Sequence, residues 1–180
     1  GGQLEDSGMV EVVTSVERDG RPVYRDLRWG VYVVIEAPND YASACFKQYG
    51  MNTDSTGRYS AMYKPFHLIG LELNISILSA ALMNQPTGST LDFNSDVVAT
   101  AKRDLKAGEM LDGEGGFTVY GKLMQASKSL AHGGLPIGLA HRVKLKNNVN
   151  KDQPIAWEDV DIDLTTQAVS VRKQMESLYS

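Results

Sequence analysis

Arg58, Lys64, His67 and Glu72 are the residues whose types and spacing invite chemistry. Lys64 and His67 flank Pro65, a residue favoured at the first position of a helix, where free backbone N–H groups attract anions. A phosphorylated sugar would suit Arg58, Lys64 and that helix start, and Lys64 or His67 could carry a proton to or from a hydroxyl. The plainer alternative makes Arg58 and Lys64 solvated loop residues and His67 a packing histidine. Glu72 falls in an apolar run, and a buried carboxylate needs a partner. A divalent metal would serve, and so would an arginine such as Arg28, the ion pair being the simpler solution.

The elements that must position these residues can be read outward from them. The run from 65 to about 83 is apolar on nearly every side, which predicts a helix buried in a domain or at a subunit interface. Pro86 and Gly88 stop it. Upstream, residues 9–16 and 22–26 read as extended segments separated by the Asp19-Gly20 turn. Residues 29–35 are a nearly continuous aliphatic and aromatic run, predicting a central strand covered on both faces. Asp40 is placed to cap a short helix through Gln48, with Gly50 able to take a left-handed exit. Residues 51–58 form a polar loop. Cys45 sits on the short helix with no base nearby and reads as a packing residue.

Beyond a linker at 89–95 the texture changes to short strands and frequent glycine. Residues 104–111 align with residues 148–155 at an offset of 44, each copy reading polar, aliphatic, turn, aliphatic. That pattern predicts two similar strand–turn–strand units sharing one core over 98–163. Leu135, Pro136 and Ile137 open another compact apolar turn. Val169, Arg172, Lys173 and Glu176 recur at helical spacing in a tail that reads as a short surface helix. His132 and His141 stand without other ligands at metal-binding spacing and read as surface residues.

Composition narrows the classes. The 180 residues are 42% hydrophobic and 22% charged, the profile of a folded globular chain. Residues 1–95 hold 7 Lys and Arg against 11 Asp and Glu, and residues 96–180 hold 11 of each, so no basic face points to nucleic acid. With Cys45 the lone cysteine, an intrachain disulfide is excluded and a reducing, cytoplasmic setting is expected. No long uncharged apolar stretch predicts a membrane span.

Three segments carry a family likeness: residues 25–31 around Trp29, residues 63–72 from Tyr63 to Glu72, and residues 112–121 beginning Asp112-Gly113-Glu114. Together with residues 98–109 and 151–155, they resemble the homoserine-dehydrogenase-like oxidoreductases that bear a C-terminal SAF (β-clip) domain. This group includes 1-deoxy-D-xylulose 5-phosphate reductoisomerase-like enzymes. The resemblance implies an α+β chain, a mixed sheet with a buried helix followed by a small SAF-like β-clip domain. Its boundaries fall at 1–95 for the end of a central catalytic and dimerising domain, 96–165 for the SAF-like domain, and 166–180 for a helical tail. It also implies an NADPH-dependent oxidoreductase, one making 2-C-methyl-D-erythritol 4-phosphate for isoprenoid biosynthesis, acting on a small phosphorylated or polyol substrate and forming a homo-oligomer. Lys64 and His67 become the catalytic candidates, Arg58 and Glu72 the substrate-binding ones, and a divalent metal an option. NADPH would be held by an upstream Rossmann domain, because no G-x-G-x-x-G run occurs among the 180 residues. The alternative is a non-catalytic SAF-type module for binding or oligomerisation, or a related dehydrogenase acting on another substrate.

Overall fold

The computed structural model describes residues 4, 7–10, 19–22, 30–65, 68 and 70–179. The fold is α+β, built of short helices and small antiparallel sheets. The chain divides into two compact units, Gly1–Gly2 with Val12–Ser89 and Gln3–Glu11 with Thr90–Ser180. The extended segments expected at 9–16 and 22–26 fall mostly outside the described residues.

In the first unit, β1 (Val31–Glu36) pairs antiparallel with β2 (Tyr59–Lys64), from Val31 opposite Lys64 to Glu36 opposite Tyr59. Between them lies α1 (Asp40–Gln48), whose cap is Asn39 rather than Asp40: the Asn39 side chain accepts from the Ala42 N–H. Gly50 provides the left-handed exit at φ 68°. β1 is not the doubly covered strand its sequence predicts; four of its six residues are exposed. Ala37, Gly57 and Ser60 are the only buried positions among the described residues of this unit.

The long buried helix expected from Pro65 also needs correction. Pro65 sits in a bend, and Gly70 adopts φ 95°, a left-handed geometry that interrupts helical propagation. The helix α2 therefore begins at Leu73 and runs to Leu78, continued by a π-helical turn over Ser79–Met83 and ended by Asn84 at φ 53°. It has no buried residue.

The second unit contains the core. Strand β3 (Ser95–Ala101) pairs with β5 (Val119–Gln125), and β4 (Met110–Asp112), β6 (His141–Leu145) and β7 (Val160–Asp161) form a second antiparallel sheet. Helix α3 (Ala126–His132) and helix α4 (Gln167–Tyr179) complete it. Leu105, Leu111, Leu135, Leu145, Ile155 and Val160 meet in one cluster, each 2% exposed or less.

The 44-residue repeat is physically real. Leu105 and Val149, equivalent positions, pair with each other through reciprocal N–H···O bonds of 2.8 and 3.0 Å. Asp104 accepts from the Lys151 N–H at 2.8 Å, and its counterpart Asn148 accepts from the N–H of Ala107 at 2.8 Å. The Gly108 N–H reaches the Leu145 carbonyl as the Asp152 N–H reaches that of Ala101, both at 2.8 Å. These bonds of one copy recur in the other with roles exchanged, the signature of a local two-fold.

The tail is not a mere surface helix. Val169 is buried, and Arg172 makes a two-pronged ion pair with buried Asp96 through Nη1 at 3.1 Å and Nη2 at 2.5 Å. Asp96 also accepts from the Ser129 hydroxyl, while Glu176 takes the Arg172 Nε and the Trp157 Nε1. The helical spacing of 169, 172 and 176 marks the docked face of α4.

Candidate functional site

Lys64 is the last residue of β2, and Glu72 immediately precedes α2. The chain between them turns back at Gly70, where the Leu71 and Glu72 N–H groups both reach the Leu68 carbonyl. That reversal brings the Lys64 ammonium onto the Glu72 carboxylate as an ion pair. The lysine side chain is 52% exposed and the glutamate 26%, with Glu72 Oε1 itself shut away from solvent. The partner expected for Glu72 was an arginine or a metal, and the structure supplies Lys64. Arg28 and His67 lie outside the described residues.

A half-exposed ammonium backed by a sheltered carboxylate is a chemically useful arrangement. The ammonium can donate to a carbonyl or hydroxyl oxygen arriving from solvent, and the carboxylate fixes its direction. The carboxylate makes no side-chain cap on α2, so it is directed to the lysine. Among the described residues no helix starts beside Lys64; α2 begins nine positions later and is preceded by an acidic residue.

Arg58 is not part of this constellation. Its Nε binds Glu36 Oε1 at 2.8 Å, and the Tyr59 hydroxyl shares that oxygen at 3.3 Å. Arg58 adjoins one end of β2 and Lys64 occupies the other, six steps and roughly 20 Å along an extended strand. The two cations do not converge on one phosphate. Beside Arg58, the loop is organised by Asp54, which accepts from the Thr56 hydroxyl at 2.6 Å and the Tyr59 N–H at 3.0 Å. The Thr56 hydroxyl bond is the largest influence holding the Asp54 carboxyl down at about 2. Sequence reasoning overlooked Glu36, Asp54 and Tyr59, although the Asp54-Ser55-Thr56-Gly57 run is a recognisable side-chain-stabilised turn.

Metal and nucleotide binding can be tested on the same geometry. Among the described residues, no three His, Cys, Asp or Glu side chains gather as a ligand set. His132 and His141 are both exposed, and Cys45 is half-buried on α1. The glycine-rich loop Gly113-Glu114-Gly115-Gly116 does not fit a pyrophosphate. Asp112 folds back into it and accepts from the N–H of Phe117 at 2.5 Å and of Thr118 at 3.0 Å, occupying donors a phosphate would use. A Cβ on Gly116 would run into the Asp112 carboxylate, so the loop is closed around its own anion.

Residues 1–73 match the family model described as Oxidoreductase DRL, catalytic domain. The DRL match takes in Arg58, Lys64, His67 and Glu72 and ends at the first residue of α2. The Lys64–Glu72 ion pair thus lies wholly within the DRL-matched segment, and the repeat-built unit lies beyond it. No curated protein matches the chain. Among the described residues, no helix is long and apolar enough to cross a membrane.

Proposed function

We propose that the DRL-matched segment contributes the proton-handling residues of an NADPH-dependent oxidoreductase acting on a small phosphorylated or polyol substrate. The reaction proposed is conversion of 1-deoxy-D-xylulose 5-phosphate to 2-C-methyl-D-erythritol 4-phosphate. The observation that carries this reading is the Lys64–Glu72 ion pair inside a segment matching an oxidoreductase catalytic domain. Lys64 donates to the substrate oxygen that becomes negative as the carbonyl is reduced, and Glu72 orients it. His67 is the second proton carrier. Arg58, engaged with Glu36, shapes the opposite end of the hairpin rather than holding the same substrate group. The cofactor supplies the hydride, and this reading places it on a separate nucleotide-binding domain.

The test is NADPH oxidation by the complete protein with 1-deoxy-D-xylulose 5-phosphate. Lys64→Ala is expected to lower kcat/KM about a hundredfold, as loss of a charge that stabilises a transition state does. Thermal stability should change by under about 1 kcal/mol, because a half-exposed ion pair contributes little. Unchanged turnover would remove Lys64 from the site, and a melt that collapses with the rate would make the pair structural.

A second reading concerns the repeat-built unit, favoured by its exchanged backbone bonds. As a SAF-like β-clip module, it would recognise a sugar acid or organise oligomers without taking part in catalysis. Retention of full turnover after removal of that unit from an otherwise folded protein would favour this division of labour.

A further inference from the structure

We infer that Gly30 is a positioning residue for Lys64: its bare backbone sets the end of β2 from which the ammonium reaches Glu72. This inference rests on the proposed role of Lys64 and adds a residue that acts through it. Gly30 immediately precedes β1, whose first residue Val31 stands opposite Lys64, the last residue of β2. A Cβ built on Gly30 would run into the Lys64 carbonyl oxygen. It would also lie 2.7 Å from Tyr63 Cε2 and 2.9 Å from the Tyr63 hydroxyl oxygen. Only glycine lets the chain pass so near another backbone.

The obstruction includes main chain, which is what ties it to Lys64. A long side chain gives way by rotating its far end, whereas a carbonyl moves only with its own planar peptide. Displacing the Lys64 carbonyl tilts the backbone on which the Lys64 side chain is mounted, and the ammonium goes with it. The next residue, Pro65, has no N–H and cannot donate a ladder bond beyond the Val31–Lys64 pair. Shape as well as hydrogen bonding therefore fixes this end of the hairpin.

Neither an open turn nor core packing accounts for a glycine here. Gly20, Gly50 and Gly70 each turn the chain, and a Cβ on any of them would meet open space. Val31 and Tyr63, beside Gly30, are 55% and 49% exposed, so they bury no core against it. Ala37, Gly57 and Ser60, the buried positions among the described residues of this unit, lie toward the other end of the hairpin. What the close approach holds is the strand end bearing Lys64, whose ammonium is paired with Glu72. A displacement of about 1 Å at a reacting group can cost on the order of a hundredfold in rate.

Two measurements on the complete protein test the inference. In NADPH oxidation with 1-deoxy-D-xylulose 5-phosphate, Gly30→Ala is expected to lower kcat at least about tenfold with KM within about twofold. Added to Lys64→Ala, it should cost less than about twofold more, because a residue that acts through Lys64 has nothing left to position. Equal costs in the two backgrounds, or an unchanged kcat, overturn the inference. Acetylation of Lys64 by acetic anhydride, read by mass spectrometry against Lys47, needs no turnover. Gly30→Ala should raise it to the level reached by Glu72→Gln, since both open the ion pair. Labelling that stays at the wild-type level overturns the inference. Raised labelling in a protein that does not turn over this substrate upholds Gly30 and removes the proposed reaction. If Gly30→Ala fails to fold, Gly30→Ala with Tyr63→Ala keeps only the carbonyl collision and is read by the same labelling.

Discussion

Leu111 and Ile155 in one region, Ile75 and Leu82 in the other, are similar side chains in opposite situations. The first two are fully buried at equivalent positions of a repeat, and the last two stand in the open. The repeat-built unit satisfies itself: two copies of a strand–turn–strand segment donate to each other and close one core. The hairpin-and-helix unit is equally aliphatic, yet among its described residues only Ala37, Gly57 and Ser60 are buried. A two-stranded sheet is marginal by itself. The contrast teaches that apolar sequence encodes a demand for cover without naming who provides it. In one region the repeat's second copy answers, and in the other the described residues supply little cover of their own.

The contrast can be broken most forcefully at α4. Arg172→Met takes the guanidinium away from the carboxylates of Asp96 and Glu176, which are 6% and 15% exposed, and breaking a buried pair costs about 3–5 kcal/mol. Chemical denaturation should show that loss. A change under about 1 kcal/mol would mean that the helix is not a structural part of its unit. Next in size come Leu111→Ala and Ile155→Ala, each expected to cost about 2–5 kcal/mol. Being repeat equivalents with the same burial, they should agree within about 1 kcal/mol, whereas Val33→Ala in exposed β1 should stay within about 0.5 kcal/mol. Costs for the two core variants that differ widely would show that the symmetry stops at the backbone.

The smallest effect concerns acid. Burial pushes the Asp112 carboxyl up, but the Thr118 hydroxyl and the N–H groups of Phe117 and Thr118 outweigh it and hold it at about 2, against an ordinary 3.8. A lowered carboxyl adds stability that is fully present above the unfolded value and is lost as pH falls through the folded one. Melts taken between pH 4 and 2 should therefore decline more steeply for wild type than for Asp112→Asn. Parallel declines would show that the loop contributes nothing in this window.

Much of the repeat-built unit was legible because a repeat is a pattern in sequence before it is a contact in space. The 44-residue offset identified Leu105 and Val149 as equivalents, and equivalence about a two-fold is what lets them pair. The spacing of Val169, Arg172 and Glu176 announced a helix, but its docking depended on Asp96, 76 residues away, and no local signal reports that distance. In the other unit, Pro65 read as a helix start because its fixed backbone suits that position. Gly70 decided otherwise, as glycine is permissive of either outcome and only the fold chooses. The same turn delivers Glu72 to Lys64, so the misplaced helix and the missed ion pair have one cause.

The paired turns at Gly108 and Asp152 meet one backbone demand in two ways. Both residues adopt the left-handed backbone, at φ 90° and 65°, but only one copy uses the residue that does so without steric cost. The side chain kept by the other reaches toward the Tyr120 hydroxyl at 3.4 Å. At these two turns the copies meet through main-chain groups, so the turn side chains are not bound to match. A symmetry carried by the main chain tolerates such unlikeness: one turn stays bare while its counterpart has a contact of its own.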